Sequence, residues 1–163
     1  MASRFVVRRG GVEDAERLKL IRLEALRDTP DAFGSTYAEA SEWNDARWRE
    51  VAGLWHFYLG EEEGDVVAMV SGGLNDLMPG AHWLYGMYVA PRARGTGLAE
   101  SLVDRVVQWA RGDHASELYL QVTESVDRAR AFYLKMGFSP TGDVRVMDRD
   151  PTLRLLTMVK PCG

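Results

Sequence analysis

The sequence has almost no cysteine and no excess of positive charge. Cys162 is the one cysteine, so neither an internal disulfide nor a thiolate zinc site of the usual kind can form. His56 and His114 have no partner at metal-ligand spacing. The 20 Lys and Arg residues and 24 Asp and Glu residues give a formal net charge of -4. This charge argues against a nucleic-acid-binding protein, because such proteins bind by neutralising phosphates with positive side chains. We therefore expect no metal centre and no nucleic-acid partner.

Long hydrophobic segments are also missing. The longest stretch without a charged residue, 77–91, is interrupted by glycines and prolines. It is shorter than the roughly 20 apolar residues that cross a bilayer. The N-terminal segment MASRFVVRR has no apolar core followed by a cleavage site, so we expect no secretion signal. These absences predict a protein without a membrane partner, located in the cytoplasm.

What is present is typical of one globular domain covering 1–163. Hydrophobic residues make up 46% and charged residues 27% of the 163. Apolar patterning alternates between strand-like and helix-like segments, which favours an α/β or α+β fold built on a mixed sheet. Strands are predicted at 5–7, 55–59, 66–70, 83–89, 118–122, 143–147 and 153–159. Helices are predicted at 13–27, 45–52, 98–110 and 127–136.

The segment between the fourth predicted strand and the third of these helices has the composition of an anion-binding loop. Gly95 and Gly97 stand directly before the helix, and Arg92 and Arg94 precede them. Glycines let a backbone come close to a ligand, while free N–H groups and the helix dipole favour an anion. Either arginine would add positive charge. The pattern predicts a phosphate or pyrophosphate site.

Two familiar phosphate loops do not fit this segment. The nucleotide loop that ends in Gly-Lys-Ser/Thr is absent, because Leu98 follows Gly97. A dinucleotide fingerprint would need a third glycine where Glu100 stands. A Gly-x-Gly alone is weak evidence, since it also occurs in ordinary tight turns.

Two blocks together resemble the GNAT-type N-acetyltransferase superfamily. The family's Arg/Gln-x-x-Gly-x-Gly/Ala signature fits in two overlapping registers, which begin at Arg92 and at Arg94. Downstream, ARAFYLKMGF at 129–138 is similar to the family's Ala-x-x-x-Tyr-x-x-x-Gly-Phe block. The resemblance implies a mixed, mostly antiparallel sheet of about seven strands flanked by about four helices. Strands 83–89 and 118–122 would form its splayed parallel pair.

The resemblance also implies an acetyl-CoA-dependent N-acetyltransferase that uses no metal. An amine would attack the bound thioester directly, in a ternary complex with acetyl-CoA as cosubstrate. Backbone groups of Met87, Tyr88 and Val89 would pair with the pantetheine arm, and an N–H near Met87 would stabilise the oxyanion. Loop amides would hold the pyrophosphate. The loop consists of Arg94, Gly95, Thr96, Gly97, Leu98 and Ala99.

Tyr133 occupies the position where the family places the hydroxyl that protonates the departing thiolate. It would therefore be the general acid. The alternative is a core aromatic residue beside Phe132 and Met136, which its position on the helix also allows.

Two positions depart from the family's pattern. Val126 stands where many members carry an asparagine that contacts the pantetheine. Gln121 lies on the strand where some members carry a glutamate base, and an amide cannot accept the proton. Glu124, acting directly or through water, is our candidate base. His82 is an alternative and Asp76 a weaker one, although a solvated surface or capping role is the more common one for such residues.

The acceptor is expected to be a primary amine of a small molecule or a peptide. In this family the segment 13–52 would form much of its site, which here contains both acids and aromatics. The acids are Glu39, Glu42 and Glu50, and the aromatic candidates, which could also be core residues, are Trp43, Trp48 and Trp55. A non-catalytic CoA-binding regulatory domain and a nucleotide-dependent enzyme are the alternatives. Since dimers are common among relatives, a homodimer is also considered.

Overall fold

One seven-stranded sheet organises the chain, with the strand order β1-β2-β3-β4-β5-β7-β6. The computed structural model describes residues 4–163, so the first three residues of the predicted domain and N-terminal segment lie outside the described residues. The strands are β1 (Phe5–Arg9), β2 (His56–Glu62), β3 (Asp65–Leu74), β4 (His82–Val89), β5 (Glu117–Thr123), β6 (Ser139–Met147) and β7 (Asp150–Pro161). The helices are α1 (Ala15–Asp28), α2 (Tyr37–Ser41), α3 (Asp45–Leu54), α4 (Leu98–Gly112) and α5 (Asp127–Lys135).

The predicted splayed pair is confirmed. Strands β4 and β5 are parallel, whereas every other neighbouring pair is antiparallel. The β4–β5 register covers only His82 with Leu118 and Trp83 with Tyr119. Further along, a bulge in β4 places two residues opposite Val70 of β3. Bulges bend a strand and increase its twist, so β4 turns away from β5 and leaves a gap between them.

The helices cover both faces of the sheet. On one face α4 packs across β2, β3 and β4, so closely that a Cβ placed on Gly72 would lie 2.6 Å from the Trp109 ring. On the other face α1 packs against β3 and α3. The apolar side of α4 is buried as its spacing predicts. Its buried residues are Leu98, Leu102, Val103, Val106, Val107 and Ala110.

Two elements differ from the expected pattern. The five-residue α2 was not predicted; it is too short for apolar periodicity, and it begins where the Thr36 hydroxyl accepts from the Glu39 N–H at 3.2 Å. Strand β6 begins at Ser139, four residues before the predicted start, although Pro140 and Gly142 are usual strand breakers. Both are tolerated because β6 is an edge strand and its register with β7 is interrupted between Pro140 and Val144.

Helix lengths also bear on the membrane question. The longest helix, α4, has 15 residues. Among residues 4–163, no helix is both long and apolar enough to cross a membrane.

Candidate active site

The glycine-rich loop ends as the N-terminus of α4. Gly95 and Gly97 have φ angles of +76° and +88°, which L side chains rarely adopt. Gly97 is the N-cap of the helix, and the Thr96 hydroxyl donates to the Ala93 carbonyl at 2.6 Å. The turn therefore has a fixed shape and leaves first-turn N–H groups of α4 without intrahelical acceptors. This is the geometry of an anion-binding helix N-terminus.

The two arginines of the signature are already paired with carboxylates of α1. The Arg94 guanidinium lies 3.2 Å from Asp28, and its Nε donates to the Val89 carbonyl at 2.9 Å. Arg92 lies 3.4 Å from Glu24. These contacts fix the loop against α1 and neutralise part of its charge. The Arg94 and Leu98 N–H groups already donate, to the Pro91 carbonyl and to the Thr96 hydroxyl, so the remaining backbone N–H groups of the loop are the donors left for a ligand.

The Tyr88 side chain belongs to the same contact. Its hydroxyl oxygen lies 2.8 Å from a Glu24 carboxylate oxygen and 3.1 Å from one of Asp28, and its single proton is shared between these two acceptors. Burial, together with these two carboxylates, raises the pKa of Tyr88 well above its usual range, so the phenol keeps its proton. With its side chain held by α1, Tyr88 can offer only backbone groups and part of its ring to a ligand in the gap.

A first cavity of about 270 Å³ lies between the loop, β4 and α5. Seven of the predicted acetyl-CoA residues line it: Met87, Tyr88, Val89, Arg94, Gly95, Gly97 and Ala99. Leu98 is instead buried in the core, and Thr96 caps the turn. Arg128 also lines the cavity, from the first turn of α5. Within residues 4–163 its guanidinium has neither an ion pair nor a hydrogen bond, in contrast to Arg94.

A second cavity of about 690 Å³ adjoins the first. The two share five lining residues: Ala32, Met87, Val126, Ala129 and Tyr133. The remainder includes four aromatic side chains, those of Phe33, Trp55, Tyr85 and Trp109. His56 lines it too, and burial together with the charge of Arg9 lowers the pKa of its imidazole to about 4, so the ring is neutral at pH 7.

Tyr133 stands where the two cavities meet. It is 7% exposed, and its ring centroid lies 5.5 Å from that of Phe132 and 5.7 Å from that of Phe138. Its hydroxyl has no hydrogen-bond partner in the described part of the chain. Burial raises the pKa of Tyr133 well above its ordinary value, which keeps the phenol protonated. The ring thus packs as a core residue, while the hydroxyl remains free for a ligand.

The structure does not bring the three candidate bases to this junction. Glu124 follows β5, but its carboxylate lies 3.4 Å from Arg154 Nε. His82 is buried, with its Nε2 2.6 Å from the Asp113 carboxylate, and Asp76 is exposed on a loop. None of these three lines either cavity, whereas Gln121 lines the second.

The predicted acceptor residues are divided between core and surface. Trp48 is fully buried, and the Trp43 ring packs against it at a tilt, with the ring centroids 4.8 Å apart. Of the three tryptophans, Trp55 alone lines the second cavity. The three glutamates are exposed and line neither cavity; they are Glu39, Glu42 and Glu50. No group of three or more His, Cys, Asp or Glu side chains within residues 4–163 is placed to hold a metal ion.

Two arginines that line the cavities, Arg22 and Arg128, were not predicted from the sequence. Arg22 follows Ile21 in a helix whose apolar spacing was the informative signal, and Arg128 lies on the exposed side of α5. A charged residue in an amphipathic helix is ordinarily solvated, so neither position gave a signal. Val126 was singled out as a departure, and its apolar side chain lines both cavities.

Known acetyltransferases are similar to this chain in sequence and in fold. The chain is 28% identical over 155 residues to the peptidyl-lysine N-acetyltransferase YjaB of Salmonella typhimurium, covering 95% of this chain and 97% of that protein. It is 36% identical over 73 residues to the L-2,4-diaminobutyric acid acetyltransferase of Halomonas elongata, covering 45% of this chain and 37% of that protein. YncA of Salmonella typhimurium, solved with its cofactor acetyl-CoA, matches with a TM-score of 0.78 and 20% identity over 99% of this chain and 95% of that one.

A model of the acetyltransferase (GNAT) family matches residues 20–138. The match covers more than half of the chain and includes both the glycine-rich loop and the helix of Tyr133. Both splayed strands also lie within the matched range. The chain belongs to the GNAT acetyltransferase family and is an acyltransferase.

Proposed function

We propose that this protein transfers the acetyl group of acetyl-CoA to a primary amine of a small molecule or peptide, by direct attack in a ternary complex. The observation that carries the proposal is the meeting of two cavities at Met87 and Tyr133. One cavity is bounded by an anion-binding helix N-terminus and the other by aromatic side chains. Two ligands could thus react at the junction without a covalent enzyme intermediate.

The residues of the first cavity fit acetyl-CoA as the donor substrate. First-turn N–H groups of α4 suit a pyrophosphate. Beyond Trp83 the β4 backbone has no pairing with β5, so Met87, Tyr88 and Val89 can bond an extended pantetheine arm as a further strand. The solved structure of YncA with acetyl-CoA supports this assignment.

Bound acetyl-CoA supplies a thioester carbonyl that an amine can attack. The amine forms the new C–N bond as the C–S bond breaks. The Met87 N–H stabilises negative charge on the carbonyl oxygen, and Tyr133 gives its proton to the departing sulfur. The nitrogen must lose one proton as the amide forms, and the predicted base, Glu124, would take it through water, because its carboxylate lines neither cavity.

A primary amine is the acceptor that the relatives favour. Those compared above are named for a peptidyl lysine and for L-2,4-diaminobutyric acid, which both present such an amine. A cytoplasmic location and a homodimer stay predictions, which cell fractionation and light scattering can check.

Calorimetric titration with acetyl-CoA tests the cofactor side. We expect Arg128→Ala to weaken binding about fivefold to tenfold, since it removes an unpaired cation from a phosphate site. Arg130→Ala is the matched control on the same helix, because the Arg130 guanidinium already bonds the Glu124 carbonyl and Asp127. We expect its affinity to stay within about twofold of the parent.

No binding of acetyl-CoA up to millimolar concentration would refute the proposal. Binding without thiol release, across a broad panel of primary amines, would identify a non-catalytic CoA-binding domain instead. Turnover with any amine excludes that alternative.

A further inference from the structure

The second cavity contains a half-buried arginine that has no counter-charge among the described residues. Arg22 extends from α1, with its guanidinium carbon 5.1 Å from the Phe33 ring centroid and 5.4 Å from that of Trp55. Its Nη1 would lie 3.1 Å from a Cβ placed on Gly86 of β4. In the described structure no carboxylate or carbonyl pairs with this guanidinium. Burial lowers its pKa to about 10, so it is still charged at pH 7.

The neighbouring arginines show how unusual this arrangement is. Arg92 and Arg94, which also face α1, both have carboxylate partners on that helix. Two aromatic faces give Arg22 some cation–π attraction, which replaces only part of the hydration lost on burial. Within the described residues neither ring nor any other group accepts a hydrogen bond from the guanidinium, so its N–H groups are available to a ligand. The N–H groups of a guanidinium bind a carboxylate through two parallel hydrogen bonds.

The remaining lining offers nothing of opposite sign. Of the described residues around this cavity, Arg22 alone carries a formal charge at neutral pH. His56 is neutral there, and the polar side chains are uncharged: Ser71, Tyr85, Gln121 and Thr123. A polycationic acceptor would therefore meet the positive charge of Arg22 and no carboxylate. An anionic group on the acceptor would instead supply the counter-charge that Arg22 lacks in this cavity.

We infer that the acetyl acceptor is an amino acid or a closely similar primary amine, whose carboxylate binds Arg22. The inference rests on the proposed function. The Arg22 guanidinium approaches Gly86, and Gly86 directly precedes Met87, the predicted oxyanion donor. A carboxylate bound to Arg22 would therefore lie near the reacting carbonyl. An α-amine and its carboxylate share one carbon atom, which suits this short separation. The aromatic side chains, together with a volume of about 690 Å³, leave room for the amino-acid side chain.

Matched acceptor pairs test the inference. Thiol release from acetyl-CoA is measured with the proteinogenic amino acids, with their α-carboxamides, and with spermidine as a polyamine without a carboxylate. We expect the best free amino acid to exceed its carboxamide in kcat/KM by on the order of a hundredfold. In Arg22→Met, which keeps an unbranched chain between the two rings, we expect this ratio to fall close to one. The Kd for acetyl-CoA should stay within about twofold.

Arg27→Met is the matched control. Arg27 also lies on α1 and stacks on an aromatic ring, that of Tyr37 at 5.3 Å, but it lines neither cavity. Its acid-to-amide ratio should equal that of the parent. Melting curves establish that each variant is folded. If Arg22→Met does not fold, Arg22→Lys is used in its place; it retains the charge but not the paired N–H donors of the guanidinium, so its acid-to-amide ratio should lie between one and that of the parent.

The failures of the two proposals can be told apart. Transfer to carboxamides or spermidine as efficient as transfer to free amino acids overturns the inference and leaves the proposed function intact. Acetyl-CoA binding without transfer to any free amino acid also overturns the inference. Failure to bind acetyl-CoA overturns both.

Discussion

Replacing Tyr133 by phenylalanine removes one oxygen atom from the junction of the two cavities. The ring keeps its contacts with Phe132 and Phe138, whose centroids lie 5.5 and 5.7 Å away. If the hydroxyl protonates the departing thiolate, the variant must expel that thiolate without a positioned acid. Binding of acetyl-CoA, by contrast, loses at most one weak O–H to sulfur contact.

The structure sets the expected magnitudes. Losing a positioned general acid costs on the order of a hundredfold in kcat, which corresponds to about 2.7 kcal/mol. Within the described residues the hydroxyl bonds to no protein group, so its removal leaves no donor or acceptor unsatisfied. We therefore expect the free energy of unfolding to stay constant or to rise by up to about 1 kcal/mol. The Kd for acetyl-CoA should change by less than about twofold.

Three measurements separate these effects: single-turnover acetyl transfer, calorimetric titration with acetyl-CoA and urea denaturation. Tyr119→Phe is a suitable control, because its hydroxyl bonds Glu117 and the residue lines neither cavity. If Tyr133→Phe transfers acetyl within about twofold of the parent while chemistry limits the rate, Tyr133 is a packed aromatic and water supplies the proton.

Two further predictions concern the loop and the N-terminal region. Gly97→Val should weaken acetyl-CoA binding by tenfold or more, as measured by calorimetry, because φ at this N-cap is +88° and a β-branched side chain is strained there. Unchanged affinity would contradict the role of the loop in binding the pyrophosphate. Asp14 accepts from Arg8 at 2.6 and 3.1 Å and from the Gly11 N–H at 3.0 Å, and the Arg8 hydrogen bonds hold its pKa below the ordinary 3.8. Since the folded pKa is the lower one, this stabilisation is present above about pH 4 and is lost as the pH falls through the folded pKa. In urea denaturation Asp14→Asn should therefore cost about 2 kcal/mol at pH 7 and less in acid; an equal cost at both would disprove the linkage.

Local patterns were sufficient for most of the architecture. The apolar face of α4 repeats at helical spacing, and Gly95 and Gly97 mark the turn before it, so the loop and the helix could be located without coordinates. The strands were predicted where apolar runs are bounded by turn residues. The pattern failed where an edge strand tolerates Pro140, since edge position is a property of the whole sheet.

The cavities were less predictable, because they depend on which distant segments meet. Arg22 lines the second cavity because α1 packs beside the β4 bulge at Gly86, 64 residues further along the chain. His82 was a reasonable base from its titration range alone, but its partner, Asp113, comes from the end of α4. Partners of this kind are set by tertiary packing, and a single sequence does not reveal them.

Helix α1 connects the second cavity with the glycine-rich loop. Within two turns, Arg22 lines the second cavity, and Glu24 and Asp28 pair with the arginines of the glycine-rich loop. A substitution that moves α1 at Arg22 would therefore also act on the ion pairs of Arg92 and Arg94. Under the proposed function, a change of acceptor preference should leave acetyl-CoA binding unaltered only when it comes from side chains that keep α1 in place.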